Sequence, residues 1–426
     1  MRTPIYKTRR YAPAAAEFDQ HCARINDFIV MTEANSNVYL IETPEGGILI
    51  NTGMGFEAPV IHHNLKKFSQ TPIKVLITTQ GHVDHVGGVQ YFRNLYPDLK
   101  YIATSANAEH QAYDARLQKF RSARSAFRFQ DDFIRVFSAY AAAGYKNINP
   151  QDKPTPDITF EKRYEFALGG LDIVLIAAAG AETNDSLIVW LPQHKIVLTG
   201  NLFGCPFGHF PNPVTIRGDR YRDALTCATA AQTVLDLNAD LLLYGHHEPI
   251  QGAELIRSEV TAYRDAVLYV HDEVVKGMNA GKDLYTLQQE IQLPAVCEVG
   301  QGYGTVRWSI RAIWENYAGW FKHESTTELY SVPQKNIHAD LVELAGIDKL
   351  LERAQQKSAA GKNEEALHLL DIVLNAEPQH SEAKKLATAV HEKLLAEAET
   401  FCSTGNFWLV GWLQNRIKLL KNGTTA

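Results

Sequence analysis

The apolar run Ile73-Lys74-Val75-Leu76-Ile77 opens directly into Thr78-Thr79-Gln80-Gly81-His82-Val83-Asp84-His85-Val86-Gly87-Gly88. An apolar run rich in β-branched residues and ended by a polar turn predicts a buried strand. That strand delivers two imidazoles and a carboxylate onto one short loop. These are the donors that a borderline divalent ion such as zinc accepts. Gly87 and Gly88 permit the tight turning and close backbone approach of a loop wrapped around an ion. A centre of this kind needs further ligands from other strand ends, so the chain must build a sheet whose ends converge.

At 426 residues there is material for two or three domains and a sizeable core. Hydrophobic residues make up 45% and charged residues 21%, as in ordinary globular proteins. A formal charge of -6 argues against a nucleic-acid partner, which calls for a basic surplus. Cys22, Cys205, Cys227, Cys297 and Cys402 are scattered, with no CxxC pair. That argues against a disulfide framework or a zinc ribbon and fits a reducing cytoplasm. The N-terminal stretch MRTPIYKTRRYAPAAAEFDQ is basic but has no apolar segment of the signal-peptide kind. No apolar run approaches the ~18 residues of a membrane span.

Up to about residue 258 the pattern is α/β. Strand-like runs recur at Phe28–Met31, Val38–Ile41, Ile48–Ile50, Lys100–Ala103, Leu171–Ile176, Leu187–Trp190, Lys195–Leu198 and Leu241–Tyr244, with helical spacing between them, as in Ala224–Leu235. From about Glu259 helical spacing dominates. Residues 345–420 read as short amphipathic helices broken at Gly361, Pro378 and Gly405. The stretch Ala359–Leu370, followed by Glu377-Pro378 and Ala383, resembles a tetratricopeptide helix pair. One such pair cannot bury its own faces and must dock on something.

Four polar residues follow strand ends. Asn51 follows Ile48–Ile50, Glu182 lies beyond the strand ending at Ile176, Asn201 follows Lys195–Leu198, and His246 follows Leu241–Tyr244. Singly, each is an ordinary loop residue. Taken with the His82 loop, in this order along the chain, they read as a metal constellation.

The Gln80–Gly88 segment resembles the metallo-β-lactamase superfamily signature HxHxDH followed by Gly-Gly, with Gln80 in place of the first His. The resemblance implies an αββα sandwich. A narrower likeness is to the linear alkyl-sulfatase branch. It rests on Glu182 where other members carry His, on His246-His247 followed by Pro249, and on Thr215-Ile216-Arg217-Gly218. The segments Thr261–Ala266, Tyr269–Asp272, Tyr303–Val306, Ser309–Ile313 and Tyr317–Phe321 are similar to that branch's dimerisation domain. The fold implied is α/β, an αββα sandwich over residues 1–258, then an all-α, tetratricopeptide-like dimerisation domain over 259–420.

The resemblance implies two metal sites. One comprises Asp84, His85 and His246; the other, weaker, comprises Gln80, His82 and Glu182, with Asn201 where a bridging acid is usual and Asn51 where an Asp usually supports the site. Zinc is the expected metal, as one or two ions, with iron or manganese the other candidates. Gln80→His should raise metal occupancy, because imidazole is a better zinc ligand than an amide oxygen. The expected activity is metal-dependent hydrolysis of a small anionic ester, sulfatase-like, in a cytoplasmic homodimer. Asp84 sits at the reacting centre, Arg217 grips the anionic group or else pairs with Asp219, and His209 donates a proton to the leaving group. Two other readings stand beside it: a lyase or iron-dependent oxygenase on the same scaffold, and a metal-bound binding protein without catalysis.

Overall fold

The computed structural model describes residues 2–9, 22–145, 148–216 and 218–422. The chain divides into two compact units, Met1–Asn316 and Tyr317–Ala426.

The first unit holds two sheets. One has seven strands in sequence order: β1 (Cys22–Asn26), β2 (Ile29–Thr32), β3 (Val38–Thr43), β4 (Gly46–Ile50), β5 (Ile73–Ile77), β6 (Lys100–Thr104) and β7 (Ile158–Phe160). β1 to β4 pair antiparallel, and β4 to β7 pair parallel. The second sheet comprises β8 (Arg163–Leu168), β9 (Leu171–Ala177), β10 (Leu187–Leu191), β11 (Ile196–Gly200), β12 (Leu241–Tyr244) and β13 (Ile250–Gln251), in the spatial order β13-β12-β11-β10-β9-β8. Its β11–β12 pair is parallel.

Alternation along each strand sorts side chains to two faces. Ile29, Tyr39, Ile41, Ile48, Ile50 and Ile77 meet Ile173, Leu175, Leu187, Val189, Leu198 and Leu243 in a core between the sheets. The intervening Val30, Val38, Leu40, Leu49 and Leu76 face the other way, onto Ile61 and Leu65 of helix Ala58–Phe68 and onto Phe92. On the far side of the second sheet, Ile188, Val197 and Leu242 pack on helix Ala224–Asp236 through Cys227, Ala231 and Val234. Val260, Tyr263, Val267, Val270 and Val274 of helix Ala253–Asn279 belong to the same core. The result is the expected layering of helix, sheet, sheet, helix.

Several elements lie outside the expected runs. β7 is only three residues long, and β8 exposes alternate side chains of a charged run. Helix Gln118–Ala142 is amphipathic but fully buries only Val136 and Tyr140, with Phe133 and Phe137 packed on Phe56. Helix Ala253–Asn279 crosses position 258 without a break and packs wholly within the first unit, and the buried residues of Val306–Ala318, from Val306 to Trp314, belong to the same core.

The second unit is helical: His338–Ala345, Ile347–Ala359, Asn363–Ala376, Ser381–Thr400 and Phe407–Lys421. The turn at Gly361 has a φ of 76°, which a residue without Cβ adopts freely. Fully buried Ala354, Ala366 and Ala383 let neighbouring helices approach closely, and Leu370, Val373 and Val390 fill the space between them. No helix among the described residues is long and apolar enough to cross a membrane.

Candidate metal centre

The strand ends that carry the candidate residues meet at one edge of the two sheets. β4 leads to Asn51, β5 to the Gln80–His85 loop, β9 to Glu182, β11 to Asn201 and β12 to His246. Backbone bonds join these loops. Leu187 N–H donates to Thr79 O at 2.9 Å, and Gly245 N–H donates to Gly200 O at 2.9 Å. Asn37 clamps the His246 loop, donating from its backbone to Gly245 O at 2.7 Å and from its amide to His247 O at 2.6 Å. At Gly245 an added Cβ would lie 2.0 Å from Asn201 Oδ1, so only glycine fits there.

Among the described residues, Asp84, His85 and His246 form the one group of three side chains suited to hold an ion, with ligand atoms within 4.8 Å of one another. His85 Nε2 lies 3.5 Å and His246 Nε2 3.9 Å from Asp84 Oδ2. Ligands about 2.0–2.2 Å from a tetrahedral zinc stand roughly 3.3–3.6 Å apart, which the His85 spacing meets and the His246 spacing exceeds by a few tenths of an ångström.

Hydrogen-bond logic fixes the His85 tautomer. The Thr79 backbone N–H donates to Asn51 Oδ1 at 2.9 Å, which sets the Asn51 amide oxygen toward Thr79. Thr79 Oγ1 then donates to the same oxygen at 3.1 Å. The hydroxyl has spent its proton, so at 3.3 Å it accepts from His85 Nδ1–H. The lone pair of His85 is therefore on Nε2, facing Asp84. Asn51 thus supports the site through Thr79, from a left-handed backbone at φ 62°. Burial pushes the His85 imidazole down to about 4 and His246 to about 3. Both are neutral at pH 7, as metal ligands must be. Burial alone would raise the Asp84 carboxyl, but the facing His85, His246 and His82 outweigh it and hold it below its ordinary value.

The other expected ligands have different partners. Gln80 Nε2 lies 2.6 Å from His82 Nδ1. His82 Nε2 faces Asp219 Oδ2 at 3.9 Å, and that carboxylate pairs with Arg121 at 2.7 Å. Glu182 is held by Arg222, with Nη2 donating to Oε1 at 2.9 Å and Nη1 lying 2.9 Å from Oε2. Asn201 reaches the centre as a neutral amide, its Nδ2 at 3.2 Å from His85 Nε2. Asp219 thus serves His82 and Arg121, while Arg217 lies outside the described residues. Arg222, Arg121 and Thr79 were not singled out from the sequence. Each acts through a partner distant in the chain or through a hydroxyl, and no local spacing signals either.

His209 is 4% exposed and accepts from the Gly302 backbone N–H through Nδ1 at 2.8 Å. Gly300 lies against its ring, and Tyr6 meets it edge-on at 5.5 Å. Burial, helped by His247, pushes its pKa down to about 4. That environment favours the neutral ring. His209 packs under the 300–302 backbone and supports it. Because its folded-state value is depressed, its contribution to stability is present above about pH 6.5 and is lost as pH falls toward 4. Between pH 7 and 5 the loss should be about 2 kcal/mol. Urea unfolding of wild type and His209→Asn at both pH values checks this. The variant should lack that part of the decline, and equal pH dependence would refute the assignment.

Residues 31–246 match the family model of the metallo-beta-lactamase superfamily, and residues 287–416 match that of alkyl sulfatase dimerisation. The chain belongs to the metallo-β-lactamase superfamily. Within it, the chain is 25% identical over 333 residues to a linear primary-alkylsulfatase of Pseudomonas sp. (strain ATCC 19151), covering 74% of this chain and 62% of that protein. It is 24% identical over 412 residues to an alkyl/aryl-sulfatase of Saccharomyces cerevisiae, covering 92% and 63%. The solved stereoselective inverting sec-alkylsulfatase of Pseudomonas sp. superposes with a TM-score of 0.80 at 20% identity, over 95% of this chain and 66% of that one, and so shares the fold. The chain spans about three fifths of the length of the curated relatives it matches.

Proposed function

We propose that this protein is a metal-dependent hydrolase of alkyl sulfate esters or closely related anionic esters. The observation that carries the reading is the Asp84–His85–His246 group, with two neutral imidazoles and a carboxylate at ligand spacing on converging strand ends. The sulfatase relatives supply the substrate class. An ion held by these three residues, zinc in our reading, would activate water to hydroxide near neutral pH and polarise the ester. Thr79 and Asn51 keep the His85 lone pair aimed at that point. The Asp84 carboxylate offsets the charge of the ion. Arg217 is proposed to grip the substrate's anionic group, for which a guanidinium fork is suited.

The proposed functional division places the hydrolase in the first unit and dimerisation toward the C-terminus, with a homodimer as the assembly. Exposed Trp320, Tyr330 and Leu344 in the second unit, at 69%, 69% and 85%, offer apolar surface for a partner subunit. The five cysteines form no disulfide, which supports a cytoplasmic location.

The test is a panel of alkyl sulfate, phosphate ester, thioester and lactam compounds on zinc-loaded protein. Inorganic sulfate should be released from the alkyl sulfate, and release should stop on chelation. Turnover of another class alone would overturn the sulfatase reading.

A further inference from the structure

We propose that this chain holds one divalent ion rather than two, because the buried Arg222 guanidinium occupies, in charge and in hydrogen bonding, the place of the second. The inference rests on the metal-hydrolase reading and makes it more specific.

A two-ion centre needs anionic ligands to offset the repulsion between the ions. Only one of the two expected ligand sets is available here. Asp84, His85 and His246 face one another at ligand spacing. In the other set, Glu182 would have to supply the only negative charge. Arg222 engages both of its oxygens, each at 2.9 Å, in the fork geometry that guanidinium and carboxylate share. The pair is nearly buried, with 5% of the Arg222 side chain and 10% of the Glu182 side chain exposed. Arg222 is anchored again through Nη1, which donates to Asn212 O at 2.8 Å. An ion entering on Glu182 would leave a desolvated guanidinium without its carboxylate, beside a double positive charge.

The neighbouring groups agree. The Gln80 amide engages His82 Nδ1, and the other ring nitrogen faces Asp219. Asp219 is engaged by Arg121, which also holds Asp114. Asn201 brings a neutral amide, not a carboxylate, to 3.2 Å from His85 Nε2. With a single ion, Glu182 is spent on Arg222 and only Asp84, among the expected ligands, is left to offset the charge of the ion. Restoring imidazole at position 80 does not free Glu182, so Gln80→His alone should not add an ion.

The experiment loads the full-length chain with excess zinc, desalts it, and measures zinc per chain by elemental analysis. Wild type and Gln80→His should each retain close to one ion. The double variant Gln80→His/Arg222→Met frees Glu182, supplies the missing imidazole and should rise toward two. Cobalt substitution gives a second readout. Wild type should show the spectrum of isolated Co(II), and the double variant that of a coupled pair. Two ions in wild type overturn the inference without any variant having to fold. A well-folded double variant that stays at one ion overturns the role of Arg222. Wild type with no ion overturns the metal-hydrolase reading as well. One ion without sulfate release overturns that reading alone and supports this one.

Discussion

Asp84→Ala should fold normally, lose most of its bound metal and release no sulfate from an alkyl sulfate. The fold should survive because the Asp84 side chain holds nothing else in place. Ser36 Oγ bonds the Asp84 backbone carbonyl, and the turn closes through His85 N–H to His82 O at 2.9 Å, neither of which needs the carboxylate. The metal should go because Asp84 is the only carboxylate in the three-residue group. Its loss leaves two neutral imidazoles and no charge to balance the ion. Loss of a supporting partner costs roughly 10–100-fold in metal affinity, and loss of a ligand should exceed that. Elemental analysis, circular dichroism and a sulfate-release assay on the same preparation test the claim. A folded Asp84→Ala protein with full metal and full turnover would disprove it. Asp84→Asn separates charge from shape: it keeps a ligand oxygen and should still lose most of the metal.

Shortening the chain should have equally large effects that depend sharply on where it ends. A chain ending near residue 258 keeps both sheets but loses most of helix Ala253–Asn279. Val260, Tyr263, Val267, Val270 and Val274, all buried against the second sheet's outer layer, go with it. At roughly 1.5–3 kcal/mol for each buried side chain, the loss rivals the roughly 5–15 kcal/mol net stability of a domain. That chain should aggregate. A chain ending at residue 316 retains the whole of the first compact unit. It should unfold cooperatively and, if the second unit carries the dimer contact, run as a monomer where the intact chain is a dimer. Light scattering and thermal melts on the three lengths decide the matter. Cooperative folding of the 258-residue chain would contradict the packing argument. A dimer at 316 residues would move the subunit contact into the first unit.

The two truncations illustrate where reading the chain alone runs out. The change from mixed to helical character near residue 258 is genuine in the sequence, because strands and helices differ in period. Yet compactness follows burial, and the helices from 253 to 318 bury their apolar stripes on the second sheet's outer layer. Nothing in their own periodicity says which surface they cover. The dimerisation family match begins at residue 287, so the family boundary and the compact-unit boundary are also distinct.

The same division runs through the metal centre. The sequence alone determined the strand Ile73–Ile77, the loop that presents Asp84 and His85, and the order of strand ends that carry Asn51, Glu182, Asn201 and His246. Those features are local, set by side-chain alternation, turn chemistry and ligand type within a few residues. Only the tertiary structure decided which of these residues face one another. It brought His246 to Asp84, routed Asn51 to His85 through Thr79, and gave Glu182 to Arg222. It also packed His209 beneath the Gly300–Gly302 backbone. A carboxylate takes its partner from whichever charge packing brings within reach. Ligand identity can therefore be read along the chain, while ligand availability is set by contacts between residues far apart in it.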